Sequence, residues 1–324
     1  MIKLMRLALA VSISGLAPLA SAQSPWPDKP VTVIVPYAAG GNTDVVGRIF
    51  TERLSQRLGK PFIVENKSGA GGTIGIAAMS RAPADGYTLG VVTAGNLFIL
   101  PHIYKDKLGY DTFKDLKPLA MVATQPNFFV VHPSIPATTP KEFVDHLKAN
   151  PDKYSYGSSG IGTSQHLCME LLAQKTGIKV THVPYRASNQ IMQDLIGGTI
   201  HMSCDQISTA LAQVRNGRAK GIAVSSPEAY GLAPEYPAMA ATVPGIDVTW
   251  AAIFIAPANL PKPIADRLTS ELGAIAKDPD VIEKLKGLTV TPVSVVGDAL
   301  EKRIKADFET WKPIVESAKI PPPQ

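Results

Sequence analysis

Several residue types are scarce in this sequence, and their scarcity excludes whole classes of protein. Only two cysteines occur in 324 residues, too few for a disulfide-stapled scaffold or for a structural zinc site built from several thiolates. Aromatic residues make up 6%, and the basic residues are scattered rather than clustered with them, which argues against a nucleic-acid-binding protein. Hydrophobic residues nevertheless make up 45%, enough to form a core, so the chain is not of the disordered class.

Long apolar runs are also lacking after the first 22 residues, which have the pattern of a cleavable export signal. A basic start is followed by an apolar run from Leu7 to Leu19 and by a small-residue cleavage site. A membrane-spanning helix needs about 20 apolar residues, and this run is shorter and interrupted by Pro18. We therefore expect cleavage after Ala22 and export to the periplasm. Without the two leader cations, 30 basic side chains remain against 27 acidic ones, a net charge of +3.

Buried strands alternate with amphipathic helices along the rest of the chain, which predicts an α/β fold. Apolar, β-branched runs predict strands at 29–35, 61–65, 87–93, 127–131, 154–158, 179–184, 199–205, 220–225 and 248–256. Apolar positions at helical spacing predict helices at 43–58, 139–147, 163–177, 188–196, 207–216, 263–276 and 300–318, the last with a kink or break at Pro313.

Two lobes joined by long strands near 126–131 and 248–256 would explain this order of elements. The first lobe is then discontinuous and comprises residues 23–126 plus 248–324. The second lobe comprises residues 127–247. This division rests on the strand lengths alone.

No motif for catalysis is complete. The segment nearest to the G-x-S-x-G elbow of α/β hydrolases is Gly160–His166 (GIGTSQH), which lacks the second glycine. Ser164 and His166 are two positions apart on a predicted helix and do not face each other. We expect no enzyme, with a hydrolase kept as an alternative because catalytic triads are assembled in space rather than in sequence.

Motifs for metals and nucleotides are incomplete as well. The six histidines show neither H-x-x-x-H nor H-E-x-x-H spacing. The glycine-rich segment 68–75 (SGAGGTIG) fails the G-x-G-x-x-G pattern because its last position is Ile74, and no P-loop lysine follows. We interpret it as a tight turn before a helix that begins near Thr73, and we expect neither a metal nor a cofactor.

The best functional signal is a pair of loops, one in each predicted lobe. Residues 38–44 (AAGGNTD) and 158–164 (SSGIGTS) each follow a buried strand and open a helix. A helix start carries free N–H groups and a partial positive charge, and glycine lets a ligand approach the backbone closely. Two such loops facing across a cleft would hold a carboxylate. The alternative for each loop alone is ordinary helix capping by Asn42, Thr43, Thr163 and Ser164.

Five further residues are candidates with equally ordinary alternatives. Arg186 follows a strand and could pair with an anionic ligand, or lie on the surface. Asp205 ends a strand and could accept a hydrogen bond from a ligand, or cap the next helix. His166 is in the first turn of a helix, where it could donate to a ligand or line the cleft. Thr93 and Asn96 follow a first-lobe strand and could reach the same cleft, or form a plain turn.

The two cysteines, Cys168 and Cys204, could form a disulfide in an oxidising compartment. Both lie in segments that the sequence predicts to be buried, where free cysteine packs like a small hydrophobic residue. We therefore expect reduced thiols.

Taken together, the motifs resemble the Bug family, the TctC-like periplasmic receptors of tripartite tricarboxylate transporters. The resemblance covers essentially all of the chain after the leader, in order. The matching segments are 26–30 (WPDKP), 35–44 (VPYAAGGNTD), 64–72 (VENKSGAGG), 84–89 (ADGYTL), 154–160 (YSYGSSG), 162–167 (GTSQHL) and 182–185 (HVPY).

The resemblance implies a type II periplasmic-binding-protein fold, with two lobes joined by crossing strands and a ligand cleft between them. In the family, the loop matching Tyr37–Asp44 contacts one carboxylate, and the loop matching 158–164, with His166, holds it from the other side. The candidate ligand-binding residues are Tyr37, Ala38, Ala39, Gly40, Asn42, Thr43, Asp44, Thr93, Asn96, Ser158, Ser159, Thr163, Ser164, His166, Arg186 and Asp205.

The implied function is capture of an organic carboxylate and its delivery to membrane permease subunits of a tripartite tricarboxylate transporter. The ligand would be a dicarboxylate, a tricarboxylate, an aromatic carboxylate or an acidic amino acid. Arg186 stands where a lysine is common, and Asn42 replaces a common serine. An alternative role on the same fold is a sensing partner of a two-component system. We expect a monomer.

Overall fold

The computed structural model describes residues 26–186 and 188–318, so the predicted leader at 1–22 lies outside the described residues. The strands are β1 (Val31–Val35), β2 (Phe62–Asn66), β3 (Thr88–Thr93), β4 (Leu116–Val131), β5 (Ser155–Ser158), β6 (Thr181–Pro184), β7 (Met202–Gln206), β8 (Lys220–Val224), β9 (Thr249–Pro257) and β10 (Thr291–Val296). The helices are α1 (Asn42–Leu58), α2 (Thr73–Ser80), α3 (Ala94–Phe98), α4 (Leu100–Tyr104), α5 (Pro140–Ala149), α6 (Ser164–Thr176), α7 (Ser188–Ile196), α8 (Ile207–Arg215), α9 (Lys262–Ile275), α10 (Pro279–Gly287) and α11 (Gly297–Ala318). Of these helices, none is long and apolar enough to cross a membrane.

The strands form one sheet of two parts that share β4. The order along the sheet is β2-β1-β3-β9-β4-β7-β5-β6, and β8 and β10 also pair with β4. From Leu116 to Pro126, β4 runs antiparallel to β9. From Asn127 to Val131 it runs antiparallel to β7 and β8 instead. We call the elements grouped on β1–β3, β9 and β10 the first lobe, and those grouped on β5–β8 the second lobe.

Local sequence explains why the helices begin and end where they do. In α1, Gly59 adopts a left-handed φ of 70° and its N–H bonds to the Ser55 carbonyl, which ends the helix. In α5, Thr139 and Glu142 form a capping box: the Glu142 N–H donates to Thr139, and the Thr139 N–H donates to the Glu142 carboxylate. These short-range signals agree with the predicted end of α1 and the predicted start of α5.

The core lies on both faces of the sheet. On one face of the first lobe, Phe50 and Leu54 of α1 pack with Phe254 of β9 and Leu268 of α9. A second cluster joins the other face of the first lobe to α5 and α6 of the second. The run VTVIV of β1 is almost wholly buried, as expected for a strand covered on both sides.

The α/β alternation is confirmed, and the differences concern prolines and short elements. The strand expected at 127–131 is the end of the much longer β4, which passes through Pro118 and Pro126 with shifts of register near Pro118. Helix α11 continues through Pro313 instead of breaking there. The loss of one backbone hydrogen bond is tolerated because Trp311 and Val315, on either side, are buried. The elements α3, α4, α10 and β10 were not predicted.

The prediction of reduced cysteines is wrong. Cys168 of α6 and Cys204 of β7 form a disulfide that joins positions 36 residues apart. Their Cα atoms are 6.1 Å apart, within the range that a disulfide spans. Burial of both residues was predicted correctly, but sequence spacing could not reveal that α6 packs directly on β7.

Candidate ligand-binding cleft

A cavity lies between the lobes where β1, β3, β5 and β7 end. It encloses about 440 Å³, open solvent at its mouth included, and we call it the cleft. Among the residues predicted from the sequence, those that line it are Tyr37, Ala38, Asn42, Thr43, Thr93, Ser159, Thr163, Ser164 and Arg186. Gly41, Ser188, Gln206 and Trp250 also line it and were not predicted.

The cleft opens into a larger cavity at the rim of the two lobes. This outer cavity has a volume of about 1210 Å³, open solvent included, and its lining includes the glycine-rich turn at 68–72. The two cavities share Tyr37, Ser159 and Arg186. Arg186 is exposed and therefore stands at the mouth of the cleft, between solvent and the interior.

The first loop brings the N-terminus of α1 to the cleft. Gly41 caps the helix in an extended conformation, and the next residues, Asn42 and Thr43, are buried against the cavity. Gly40 has a φ of 79°, which a residue with a side chain adopts only at a cost. The N–H groups of the first helical turn have no acceptor within the helix, so they are available to an anion.

Asp44 holds this loop in shape and does not line the cleft. Its carboxylate accepts hydrogen bonds from the Gly40 N–H at 2.9 Å, from Arg48 at 2.9 Å and from Asn66 at 2.9 Å. Asn66 also donates to the Tyr37 carbonyl at 3.0 Å. Burial pushes the pKa of Asp44 upwards, but these hydrogen bonds outweigh it and the pKa is lowered. Asp44 is therefore ionised and fully engaged within its own lobe.

Tyr37, Thr93 and Asn96 form a buried hydrogen-bonded cluster behind the same wall. The Tyr37 hydroxyl donates to Asn96 Oδ1 at 3.0 Å, and the Thr93 N–H donates to the same oxygen at 2.9 Å. Asn96 Nδ2 donates to the Gly71 carbonyl at 2.9 Å. Burial raises the pKa of Tyr37 despite its bonds to Thr93 and Asn96. Asn96 thus ties three segments of the first lobe together and does not line the cleft.

The second loop brings the N-terminus of α6 to the opposite side of the cleft. Thr163 caps α6: its side chain accepts from the His166 N–H at 3.4 Å and donates to the Gly160 carbonyl at 2.8 Å. The Ser164 hydroxyl donates to Asn127 Oδ1 at 3.3 Å. Since both hydroxyl protons are used within the protein, the groups that this loop offers to an anion are the backbone N–H groups at the start of α6.

Gln165, which was not among the predicted site residues, holds this loop in place through hydrogen bonds. Its Oε1 accepts from the N–H of Ser159 at 2.8 Å and from the Ser159 hydroxyl, and its Nε2 donates to Ser188 at 2.8 Å and to Asp205. Asp205 is fully buried behind the cleft. Burial raises the pKa of Asp205 to about 6, against the lowering effect of hydrogen bonds that include the Gln206 N–H. The segment GTSQHL contains Gln165, but nothing in a single sequence distinguishes it from an exposed glutamine.

His166 belongs to a buried aromatic cluster under the second loop. Its Nδ1 accepts from the Gly162 N–H at 3.2 Å, and its ring centroid lies 4.3 Å from that of His182. His182 in turn bonds to the Ser158 hydroxyl at 2.6 Å. Burial lowers the pKa of His166 to about 3, with a further contribution from His182, and burial lowers the pKa of His182 to about 4. Both rings are therefore neutral near pH 7, and His166 and Ser158 lie outside the cleft lining.

The only charge on the described cleft lining is positive. Arg186 is the single charged side chain among the lining residues that the structure describes, and the others are hydroxyls, amides, small residues and two aromatic side chains. Of the predicted residues, Ala39, Gly40, Asp44, Asn96, Ser158, His166 and Asp205 lie outside the lining. Several of these hold the lining residues in place instead.

The described part of the chain contains no cluster of three or more His, Cys, Asp or Glu residues that could hold a metal ion.

Two α/β lobes that share the long strand β4 and enclose a polar cleft define a two-lobed solute-binding protein of the type II periplasmic-binding-protein fold. The sequence profile described as "Tripartite tricarboxylate transporter family receptor" matches residues 46–320, and the chain belongs to this family. The resemblance to Bug and TctC-like receptors is thereby confirmed.

Similar proteins span nearly the full length of the chain. A "UPF0065 protein in tcbD-tcbE intergenic region" of Pseudomonas sp. (strain P51) is 30% identical over 95% of this chain and 91% of its own. A Rhodopseudomonas palustris protein solved with adipate is 29% identical with a TM-score of 0.87, covering 92% of this chain and 100% of its own. MatC from Rhodopseudomonas palustris, solved with bound malate, is 27% identical with a TM-score of 0.82, covering 90% and 100%.

Proposed function

We propose that this protein captures an organic carboxylate in the cleft and delivers it to the permease subunits of a tripartite tricarboxylate transporter. The observation that carries the proposal is the lining of the cleft. Two helix N-termini and Arg186 converge on it, and the described lining contains no carboxylate side chain. An anion is favoured by each of these features, whereas a cationic ligand would find no counter-charge.

The ligands of similar proteins support this class of solute. Two neighbours of the same fold, at 29% and 27% identity, were solved with adipate and with malate. Both are small dicarboxylates. Binding by backbone N–H groups and neutral side chains holds a carboxylate without burying a second unpaired charge.

The remaining elements of the proposal follow from the sequence pattern and the family. Cleavage after Ala22 would release the protein into the periplasm, where a receptor of this family meets its permease. The lobes would comprise residues 23–126 plus 248–324 and residues 127–247. The monomeric state is part of the same proposal.

The contacts of the candidate serines support a receptor over a hydrolase. A serine nucleophile needs a histidine base within hydrogen-bond reach. The Ser159 hydroxyl donates to Gln165, and the Ser164 hydroxyl donates to Asn127. Ser158 does contact His182, but Ser158 is fully buried and lies outside the cleft lining.

The proposal is tested by calorimetric titration of the leader-free protein with mono-, di- and tricarboxylates, aromatic acids and amino acids. The best carboxylate is then titrated into Arg186→Gln, which removes the one charge of the cleft lining. We expect its affinity to fall about tenfold, since hydrogen bonds to charged groups are stronger than neutral ones. Arg218→Gln, which removes the same charge from an exposed turn of the second lobe, is the matched control and should bind normally. Failure of every carboxylate to bind, or equal losses in the two variants, would contradict the proposal.

A further inference from the structure

Four buried side chains near the floor of the cleft carry polar atoms that have no hydrogen-bond partner among the described residues. These atoms are Asn42 Nδ2, Asn127 Nδ2, Trp250 Nε1 and both amide atoms of Gln125. Each residue is at least nine-tenths buried: Asn42 is 7% exposed, Gln125 and Trp250 1%, and Asn127 0%. A buried N–H group without a partner costs more free energy than an ordinary hydrogen bond gains, so such groups are rare in folded proteins.

The four residues share one region of the fold. Gln125 of β4 lies directly opposite Trp250 of β9 in the antiparallel pair, which puts both side chains on the same face of the sheet. Asn127 follows two positions later on β4, and its Oδ1 accepts from the hydroxyl of Ser164, a cleft-lining residue. Asn42 reaches this region from the start of α1. We call Asn42, Gln125, Asn127 and Trp250 the inner polar cluster.

The inner polar cluster lies at the end of the cleft away from Arg186. Asn42 and Trp250 line the cleft directly. The outer cavity at the mouth includes Arg186 but not Trp250. A third cavity, whose lining includes exposed residues such as Asp247 and Arg303, shares Trp250 with the cleft but does not include Arg186. A ligand held at the mouth by Arg186 would therefore extend its other end towards Trp250.

We propose that the inner polar cluster binds a second acceptor group of the ligand and so selects carboxylates by the chemistry of their inner end. The inference rests on the proposed function. Four of the five unpartnered atoms are N–H donors, so the matching ligand group is an acceptor such as a second carboxylate oxygen. A ligand ending in a methyl group would leave the donors unpaired, and a site of this kind rejects such an analogue strongly.

The test compares ligands that differ only at one end. Linear dicarboxylates from succinate to adipate are each paired with the monocarboxylate of the same chain length, from butyrate to hexanoate, and titrated by calorimetry. We expect the wild-type protein to bind the best dicarboxylate at least tenfold more tightly than its monocarboxylate partner. Trp250→Phe removes one donor and keeps an aromatic ring. It should lower that dicarboxylate's affinity about tenfold and leave the monocarboxylate's affinity unchanged.

Two further variants separate ligand recognition from structure. Trp26→Phe is the matched control, because Trp26 Nε1 is also buried without a partner but packs against Phe62 and Tyr87, outside the cleft lining. Gln125→Met removes both unpartnered amide atoms at nearly constant shape. We expect its unliganded melting temperature to be unchanged or higher while its dicarboxylate affinity falls, a combination that a purely structural role would not produce.

The outcomes distinguish this inference from the proposed function. Equal wild-type affinity for the members of each pair overturns the inner subsite and leaves the proposed function intact. A loss in Trp250→Phe or Gln125→Met that is the same for both members of a pair also overturns it, as does an equal loss in Trp26→Phe. Absence of binding to every carboxylate overturns both.

Discussion

At the scale of single residues, the second lobe holds a buried histidine, a half-buried histidine and a buried acid next to the loop that faces the cleft. His166 and His182 lie with their ring centroids 4.3 Å apart, and their pKa values are lowered to about 3 and about 4, chiefly by burial. Asp205, with its pKa raised by burial to about 6, is joined to the same loop through Gln165. The two histidines make the second lobe sensitive to mild acid, and Asp205 opposes this effect.

We predict that the protein loses thermal stability as the pH falls from about 6.5 to about 4. A histidine whose pKa is lower in the folded state stabilises the fold above its unfolded pKa, and this contribution is lost as the pH falls towards the folded value. One such residue accounts for up to about 1.4 kcal/mol per pH unit. Asp205 acts in the opposite direction between about pH 6 and its unfolded pKa, because its raised pKa favours the protonated folded state. His201, whose pKa burial also lowers, adds to the loss, and Asp247, whose pKa burial raises, opposes it. Three histidines outweigh two acids, so the net change is a loss.

Melting temperatures measured across this pH range check the prediction. His182→Gln should make the melting temperature fall less steeply with pH, because one of the groups that take up a proton on unfolding is gone. Asp205→Asn should make the melting temperature fall more steeply as the pH is lowered. His102→Gln, in α4 of the first lobe, leaves these groups in place and should show the same change of melting temperature with pH as the wild type. A wild-type melting temperature that stays constant or rises towards pH 4 would contradict the assignment.

At the scale of elements, the cleft depends on how α6 is fixed to the second-lobe sheet. The N-terminus of α6 faces the cleft, while β7 carries Gln206, another lining residue. The disulfide between Cys168 and Cys204 joins these two elements, and the contact from Gln165 to Asp205 joins them a second time. The two tethers fix the position of the helix start relative to the strand end.

Reduction of this disulfide should lower the free energy of unfolding by about 2–4 kcal/mol. The bond closes a loop between positions 36 residues apart and thereby restricts the unfolded chain, which is the main source of stabilisation in the chain-entropy description. Chemical denaturation with and without a thiol reductant measures the loss. The double variant Cys168→Ala with Cys204→Ala is the control, since its unfolding should not respond to reductant. An unchanged wild-type midpoint under full reduction would show that the bond does not stabilise the fold.

At the scale of the whole molecule, the two lobes touch through glycines. A Cβ atom on Gly71 of the first lobe would lie 3.0 Å from the Ile161 carbonyl of the second. A Cβ atom on Gly95 of α3 would lie 3.0 Å from the Gly162 carbonyl. A side chain at either position would push against the facing carbonyl, so these glycines let the two lobes approach each other across the cleft.

Gly95→Ala should therefore hinder closure and weaken ligand binding. Gly95 lies within α3, where alanine is favoured over glycine, so the added methyl group acts mainly through its clash with the Gly162 carbonyl. Such overpacking costs about 1 kcal/mol or more, which corresponds to an affinity loss of about fivefold or more. Calorimetry gives the affinity, and small-angle scattering of the liganded protein should give a larger radius of gyration than the wild type.

The matched control is Gly273→Ala in α9. A Cβ atom there would come no closer than 3.4 Å to Ser294, an ordinary contact within the first lobe. This variant should bind and close as the wild type does. If Gly95→Ala bound ligand as tightly as Gly273→Ala, contact between α3 and the second loop would not be needed for the liganded state.

The alternation of strands and helices was predictable because it depends on local patterns. Apolar β-branched runs such as VTVIV in β1, and caps such as Thr139 and Gly59, act over a few residues. The two loops that reach the cleft were predictable for the same reason, since each follows a strand and opens a helix. The resemblance to a known receptor family rests on the order of such short segments.

Tertiary structure alone decided which side chains line the cleft. Asp44, Asn96 and Asp205 are polar residues in the predicted loops or strand ends, but each is engaged inside its own lobe. The sequence places Trp250 in an apolar strand, which predicts a core residue, yet Trp250 forms part of the cleft lining. The pairing of Cys168 with Cys204 depends on the packing of α6 on β7. The physical reason is that local propensity acts between residues near in sequence, whereas burial and hydrogen-bond partners are set by segments brought together only when the sheet forms.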